Sequence, residues 1–404
     1  MKDTVRILKL DHFGRGVAQV NGKTLFVENA LDGEVVDVVY DEKKRILESS
    51  SCGFISKSLD RRDAICPYYG SCGGCNIMHM NYLKQLDFKK HKVYQLLRKF
   101  AGINQELIED VIPTVEFNYR NKVTLKVKEK VGFYKNKSYI IVNVDKCVIC
   151  SNKINALIEK LNTLNLEGIS EIVIRSNYKD DSMVIITGNI DKDYFIKNLK
   201  DCTDNLVLIN EEKVELLFGE GSITEKVGDL YFKISPLSFF QVNTIGAEKL
   251  YDVVKEFADL SGNESVLDLY CGTGTIGMYL SGNAKSVVGI EINKDAINDA
   301  NNNVSLNNIN NCKYICDDVG RALKNYNDID LIIVDPPRNG LSVKALNDII
   351  NVSSKKIIYI SCDPATLARD LNILKETYDV KKIKLVDMFP NTYHCESITI
   401  LERR

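Results

Sequence analysis

Over the first stretch of the chain, hydrophobic and polar positions alternate in short runs. Val5–Leu10 alternates, Gly16–Val20 and Lys23–Glu28 flank Asn21-Gly22, Gly33–Tyr40 reads GEVVDVVY, and Arg45–Ser50 closes the series. A period of two marks strands, and Asn-Gly between two such runs predicts a two-residue type I′ hairpin. Five short strands in so little chain predict a small barrel of the oligonucleotide-binding kind.

The period then lengthens. Within Tyr82–Phe100, Leu83, Leu86, Val93, Leu96, Leu97 and Phe100 recur at roughly helical spacing, and Ala101-Gly102 supplies a stop. Residues 111–230 read as mostly β, with strands such as Lys122–Val127 and Tyr139–Val144 and a helical stretch near Lys153–Leu164. From about residue 230 strands alternate with helices, which predicts a parallel α/β sheet. Its strand candidates are Ser265–Leu269, Ser286–Ile290, Leu331–Val334 and Lys356–Ile360. The Asn-rich stretch Asn301–Asn311 reads as a helix end and loop without a role. The expected domains are residues 1–57, 58–229 and 230–404.

Composition narrows the picture. A chain of 404 residues is too long for one ordinary core, and 45% apolar with 27% charged residues is normal for a globular protein. No apolar run reaches the ~18 residues of a membrane helix. The start, Met1-Lys2-Asp3-Thr4-Val5-Arg6, lacks a signal-peptide core. A cytoplasmic protein with no membrane partner is expected. The net charge of −2 and the pI near 6.2 carry no global signature of a nucleic-acid binder, so any RNA surface must be a local patch. Arg120–Lys146 is one, with eight Lys/Arg against two Asp/Glu, interleaved with Phe133, Tyr134 and Tyr139. A solvated strand face and a phosphate-contacting surface both fit that pattern.

Twelve cysteines in a chain of this kind point to metal ligation or catalysis rather than a disulfide framework. Cys66, Cys72 and Cys75 lie within ten residues, with Gly73-Gly74 for a tight turn, and Cys147 and Cys150 follow later. Four thiolates suit a tetrahedral zinc or an iron–sulfur cluster. Zinc would pair Cys72 and Cys75 with Cys147 and Cys150 and leave Cys66 idle.

The segment Val266–Gly277 runs from an apolar strand through Cys271-Gly272-Thr273-Gly274 into a helix, a turn at which glycines let backbone approach a ligand. Glu291 lies 19 residues after Gly272, the distance expected of an acid gripping ribose hydroxyls at the next strand end. With Asp268 before the turn and Asp317-Asp318 at a third strand end, the pattern resembles the class I S-adenosylmethionine-dependent methyltransferase fold more than a dehydrogenase. It lacks the Gly-Lys-Ser/Thr of a phosphate-binding P-loop. Asp335-Pro336-Pro337-Arg338 falls at the carboxyl edge of the sheet, where open α/β sheets bind ligands. An aromatic residue commonly follows such a motif in methyltransferases of exocyclic amines, so Arg338 argues against an amino-group target. Cys362 lies just past a strand end and enters a helix, whose dipole is expected to favour the thiolate. Glu396 precedes the final strand, Ile398–Leu401.

These groups suit one reaction. Carbon 5 of uracil is a poor nucleophile until a thiolate adds to carbon 6. After methylation a base must remove the carbon-5 proton so that the thiol can leave. The chain resembles the RNA 5-methyluridine (uracil-C5) methyltransferases, and within them the rRNA-type members with an N-terminal TRAM domain and an iron–sulfur cluster. The motifs that carry the resemblance are Cys66…Cys72-Gly73-Gly74-Cys75, Phe240-Gln241-Val242-Asn243, Asp268–Thr275, Asp335–Arg338, Ser361-Cys362-Asp363-Pro364 and His394-Cys395-Glu396. The resemblance implies a class I, Rossmann-like α/β methyltransferase domain behind an OB-like TRAM β-barrel and a mostly β central domain with a 4Fe-4S site. It implies Cys362 as nucleophile and Glu396 as base. Gln241, Tyr270, Thr275, Glu291, Asp318 and Asp335 are implied contacts of S-adenosyl-L-methionine, with Asp335 also near the uracil. Cys66, Cys72, Cys75 and Cys147 are the implied ligands of the 4Fe-4S cluster, with Cys150 an extra thiol. The implied substrate is RNA, 23S rRNA first, acted on by a monomer. A tRNA enzyme and a non-catalytic RNA-binding protein are the alternatives.

Overall fold

The computed structural model describes residues 1–211 and 213–404. The N-terminal strands form a six-stranded sheet around a core that includes Val5, Ala18, Leu25, Val36 and Leu47. The expected series gains a strand, because Lys2–Arg6 and Lys9–Leu10 are separate elements. Asn21 and Gly22 turn the hairpin with φ of 49° and 76°, the two positive values that a type I′ turn requires. Leu47–Ser56 pairs with both Val35–Val39 and Lys23–Glu28 and so curls the sheet over its core.

The central region is less purely β than its sequence reads. Seven strands run from Ile141–Asn143 at one edge to Lys213–Phe218 at the other. One face of this sheet, with Val184 and Ile186, packs under the helices Asn152–Leu161 and Lys192–Leu199. The alternate residues Met183 and Ile185 join the core of the C-terminal region instead. The period of two thus sandwiches the sheet between its own helices and its neighbour.

The C-terminal sheet has eight strands. In sheet order these are Cys312–Cys316, Ser286–Glu291, Ser265–Leu269, Leu331–Val334, Lys356–Ser361, Glu396–Arg403, Tyr378–Val386 and Ile108–Ile112. The first five are parallel, and Glu396–Arg403 is antiparallel to both its neighbours. That reversal is absent from the dinucleotide-binding order 3-2-1-4-5-6. The eighth strand belongs by sequence to the middle of the chain, so the expected boundary at residue 230 is crossed by Ile108–Ile112 and by the helix before it.

That helix, Tyr82–Ala101, is capped by the Asn81 side chain and closed by left-handed Gly102. Its buried face differs from its apolar periodicity. Leu83 is 78% and Phe100 50% exposed, whereas Gln85 and Lys89 are fully buried beside Val93 and Leu97. The Asn-rich stretch is also structural. Asn303, on the helix Lys294–Leu306, and its C-cap Asn307, four residues on, each exchange two amide hydrogen bonds with backbone, Asn303 with Lys233 and Asn307 with Tyr231. Their amides stand in for a neighbouring strand along the edge of Leu230–Ile234. Among the described residues no helix is long and apolar enough to cross a membrane.

Candidate active site

The glycine-rich turn is built by close packing. Tyr270, Gly272 and Gly274 take φ of 60°, 53° and 75°. A Cβ at Gly274 would stand 2.5 Å from the Tyr314 ring, and one at Gly277 2.9 Å from Asp268 Oδ2. Only glycine fits either place. Tyr270 is not a glycine, and a left-handed backbone at such a bulky residue is strain of the kind that concentrates at functional sites. Asp268 accepts a hydrogen bond from Gly277 N at 2.9 Å through one oxygen, and its other oxygen is buried without a partner. Burial, reinforced by the nearby Asp335 and Glu291, pushes its carboxyl up to about 7.

Around this turn stand the expected cofactor-side residues. Glu291 ends the next strand and accepts from Gly272 N at 3.3 Å and Asn293 N at 2.9 Å. Asp318 is exposed and caps the short helix Val319–Ala322 by accepting from Arg321 N. The Tyr270 phenol is raised by burial and then by the carboxylates of Asp318 and Glu291. Thr275 Oγ1 shares a hydrogen bond of 2.9 Å with buried Tyr251. Gln241 follows Phe240, which packs into the same core as Cys271 and Ile276, and its carbonyl accepts from Asn121 Nδ2.

Cys362 and Glu396 meet through sheet register. Ser361 pairs with Ser397 across the antiparallel strands, so the next position on one chain lies opposite the previous position on the other. Cys362 therefore faces Glu396 although 34 residues separate them. Leu331–Val334, paired with Lys356–Ser361, carries Asp335 to the same edge. The Cys362 backbone is fixed by Asp363, which caps the helix Pro364–Leu374 through Ala365 N and Thr366 N, and Ser361 Oγ donates to the Asp363 carbonyl. Thr366 Oγ1 reaches the Arg338 carbonyl and ties the Asp-Pro-Pro-Arg loop to that helix.

The electrostatics overturn one expectation. The Cys362 thiol is raised rather than lowered. Burial, then the charges of Glu396, Asp335 and Asp363, raise it to about 11, with Arg338 the opposing cation. Glu396 is raised to about 8 by burial and by Asp335, again against Arg338. Burial alone takes Asp335 up to about 7. Three acids crowd one apolar edge, and such crowding holds protons. From sequence Arg338 is only a sign against an amine target, but in the structure it is the cation shared by Cys362, Glu396 and His394. Its place directly after Asp-Pro-Pro is the signal from which that role could be found.

Cys66, Cys72, Cys75, Cys147 and Cys150 line one cavity of about 160 Å³. Among the described residues no three His, Cys, Asp or Glu side chains converge closely enough to hold a metal ion. Cys150 is fully buried, and its thiol hydrogen-bonds to Cys147, which lowers the Cys147 thiol. The basic hairpin packs on this loop, for Gly73 N donates to the Tyr134 carbonyl at 3.0 Å. Three of its cations are taken up by carboxylates, Lys126 by Glu171, Lys130 by Asp145 and Lys137 by Glu48. Tyr139 remains 90% exposed.

The chain is similar to known proteins over nearly its whole length. The family described as tRNA (Uracil-5-)-methyltransferase matches residues 207–404, and the TRAM domain matches residues 3–44. An uncharacterized RNA methyltransferase of Clostridium acetobutylicum is 36% identical over 97% of this chain and 95% of its own length. Another, from Caldanaerobacter subterraneus subsp. tengcongensis, is 35% identical over 100% of this chain and 98% of its own. Among solved structures, the Pyrococcus abyssi tRNA (uracil-54, C5)-methyltransferase in complex with S-adenosyl-L-homocysteine shares 26% identity. It aligns with a TM-score of 0.79, covering 99% of this chain and 100% of its own.

Proposed function

Because the chain belongs to the RNA uracil-5-methyltransferase family, with its α/β methyltransferase fold and N-terminal TRAM domain, we propose that it methylates carbon 5 of a uridine in RNA through a covalent adduct on Cys362. The observation that carries this reading is the register that sets Cys362 opposite Glu396 at the edge bearing Asp335.

Bound S-adenosyl-L-methionine supplies the methyl carbon, on a cationic sulfur. The strained Gly-rich turn and Glu291, Asp318, Tyr270, Thr275 and Gln241 form its cradle, Glu291 as acceptor for ribose hydroxyls. Asp335 lies between that cradle and the thiol. Cys362 Sγ adds to carbon 6 of the uracil, and the carbon 5–carbon 6 electrons become available at carbon 5. Once carbon 5 is methylated, Glu396 takes its proton. The electron pair of that bond re-forms the double bond and the Cys362–carbon 6 bond breaks. Arg338 is the cation beside both groups and favours thiolate and carboxylate alike.

Cys66, Cys72, Cys75 and Cys147 are proposed to hold a 4Fe-4S cluster. The donor set is all sulfur and lines one cavity, and the resemblance to the iron–sulfur members of the family favours a cluster over a single zinc. The methyl-transfer route needs no electron carrier, so the cluster is assigned a structural role.

The substrate is proposed to be 23S rRNA. The likeness to a tRNA (uracil-54, C5)-methyltransferase favours a second reading, tRNA. Mapping 5-methyluridine in both RNAs from cells with and without the gene decides between them, and no loss in either refutes the proposed activity.

A further inference from the structure

The loop Asp387–Cys395 leads directly into Glu396, and several carbonyls along it are pinned from distant parts of the chain. Asn243 Nδ2 donates to Met388 O at 3.0 Å, Lys89 Nζ to Phe389 O at 3.0 Å, Tyr119 Oη to Pro390 O at 3.1 Å and Lys92 Nζ to Tyr393 O at 3.0 Å. Lys89 also pairs with Asp387 at 2.5 Å, both side chains being wholly buried. Burying an ion pair carries a large desolvation penalty, and a fixed geometry is what it secures in return.

Asn391 is the joint of this loop. It is fully buried and left-handed, with φ of 68°. Its N–H donates to Gln85 Oε1 at 2.8 Å, and its Oδ1 accepts from Gln85 Nε2 at 3.2 Å and Arg62 at 2.9 Å. Its Nδ2 donates to Glu116 O at 2.9 Å. Its own carbonyl accepts from Asn76 N at 3.0 Å and Ile77 N at 3.2 Å, the two residues that follow Cys75. The Asn76 carbonyl in turn accepts from Tyr69, which lies between Cys66 and Cys72. A continuous run of hydrogen bonds therefore joins the cysteine-rich loop to the segment five residues before Glu396.

We propose that Asn391 is a positioning residue that couples the order of the cysteine-rich loop to the placement of Glu396, and so to the release of the methylated RNA. This rests on the reading of Glu396 as the base that resolves the covalent adduct. The Cys362 backbone is held by a different set of contacts, those of Ser361, Asp363 and Thr366. Loosening Asn391 should therefore spare adduct formation and slow adduct resolution.

Single-turnover assays with a radiolabelled methyl donor, followed on a denaturing gel, separate those steps. Asn391→Gly keeps the left-handed backbone and removes the side-chain bonds. The adduct should form at the wild-type rate and resolve about 10- to 100-fold more slowly, the loss expected of a displacement near 1 Å. Asn391→Asp keeps the acceptor for Gln85 and Arg62 and should recover most of the loss. Cys75→Ser should accumulate the same adduct. Hydrogen exchange at the Asn76 and Ile77 amides should quicken in Asn391→Gly. Wild-type resolution in that variant, or equal loss of both steps, overturns the assignment, and so does unchanged protection at Asn76 and Ile77. If Asn391→Gly does not fold, Gln85→Met removes one of the same bonds together with the one to the Asn391 N–H, and is held to the same outcomes. A wild-type protein that methylates uridine without ever forming an adduct overturns instead the reading of the reaction.

Discussion

The two halves of the reaction should titrate differently, because the two reacting groups do. Cys362 is pushed up to about 11 and Glu396 to about 8. Between pH 6.5 and 9 the thiol is far below its pKa, so the thiolate fraction and the rate of adduct formation should rise about tenfold per pH unit. Resolution depends on ionised Glu396, which is roughly one-tenth populated at pH 7, half at pH 8 and nine-tenths at pH 9. It should therefore gain about tenfold from pH 7 to 9 and level off. Rapid-quench single turnovers resolve the two steps as the appearance and decay of a labelled protein–RNA band. Glu396→Gln has no titrating base, so its adduct should still form but decay roughly 10²- to 10⁴-fold more slowly, without the rise toward pH 9. Cys362→Ala should give neither adduct nor methylated RNA. A wild-type decay rate that is flat from pH 7 to 9 refutes Glu396 as the base. Near-normal turnover by Cys362→Ala refutes addition–elimination altogether and points away from carbon 5 of a pyrimidine.

Removing the Glu291 carboxylate should weaken S-adenosyl-L-methionine binding by roughly 1.5–3 kcal/mol, the worth of a charge-assisted hydrogen bond. Unchanged affinity by calorimetry refutes its contact with the ribose. The raised acids also predict how stability depends on pH. Asp268, Asp335 and Glu396 bind protons more tightly folded than unfolded, so their contribution is complete below the ordinary carboxylate range and is lost as pH rises through about 7 to 8. Urea midpoints should fall from pH 5 to pH 8. Glu396→Gln should remove on the order of 3 kcal/mol of that decline, since one proton held folded but not unfolded is worth about 1.4 kcal/mol for each pH unit crossed; an equal slope in the variant contradicts the burial argument. Cys150→Ser should keep its iron after anaerobic purification, since its thiol is hydrogen-bonded to Cys147 within the core. Loss of iron there, or stoichiometric zinc in the wild type, refutes the ligand assignment.

What can be read ahead of the structure follows the range of the forces involved. The hairpin at Asn21-Gly22, the stop at Gly102 and the parallel strands are local, set by dihedral preference and period, and they are legible residue by residue. The strand-end positions of Asp335, Cys362 and Glu396 are legible too, because the first two sit where an apolar run stops and Glu396 just before one begins. Their convergence is not, for it depends on the reversal of Glu396–Arg403, which no period encodes. The electrostatics are least legible. A helix terminus next to a cysteine suggests a thiolate, yet burial and, after it, carboxylates carried by two other strands raise the thiol. Polar residues on apolar faces are the signal most open to use. Lys89 and Gln85 interrupt the buried side of a helix that otherwise carries Val93 and Leu97. Two such residues on one face, four apart, cannot be buried without partners, because an unpaired charge or amide in the core is too costly. Their presence alone requires a second polar segment to lie against that helix. Asp387 and Asn391 are that segment, also four apart, and the match of the two spacings is what aligns the loop before Glu396 with the helix behind it.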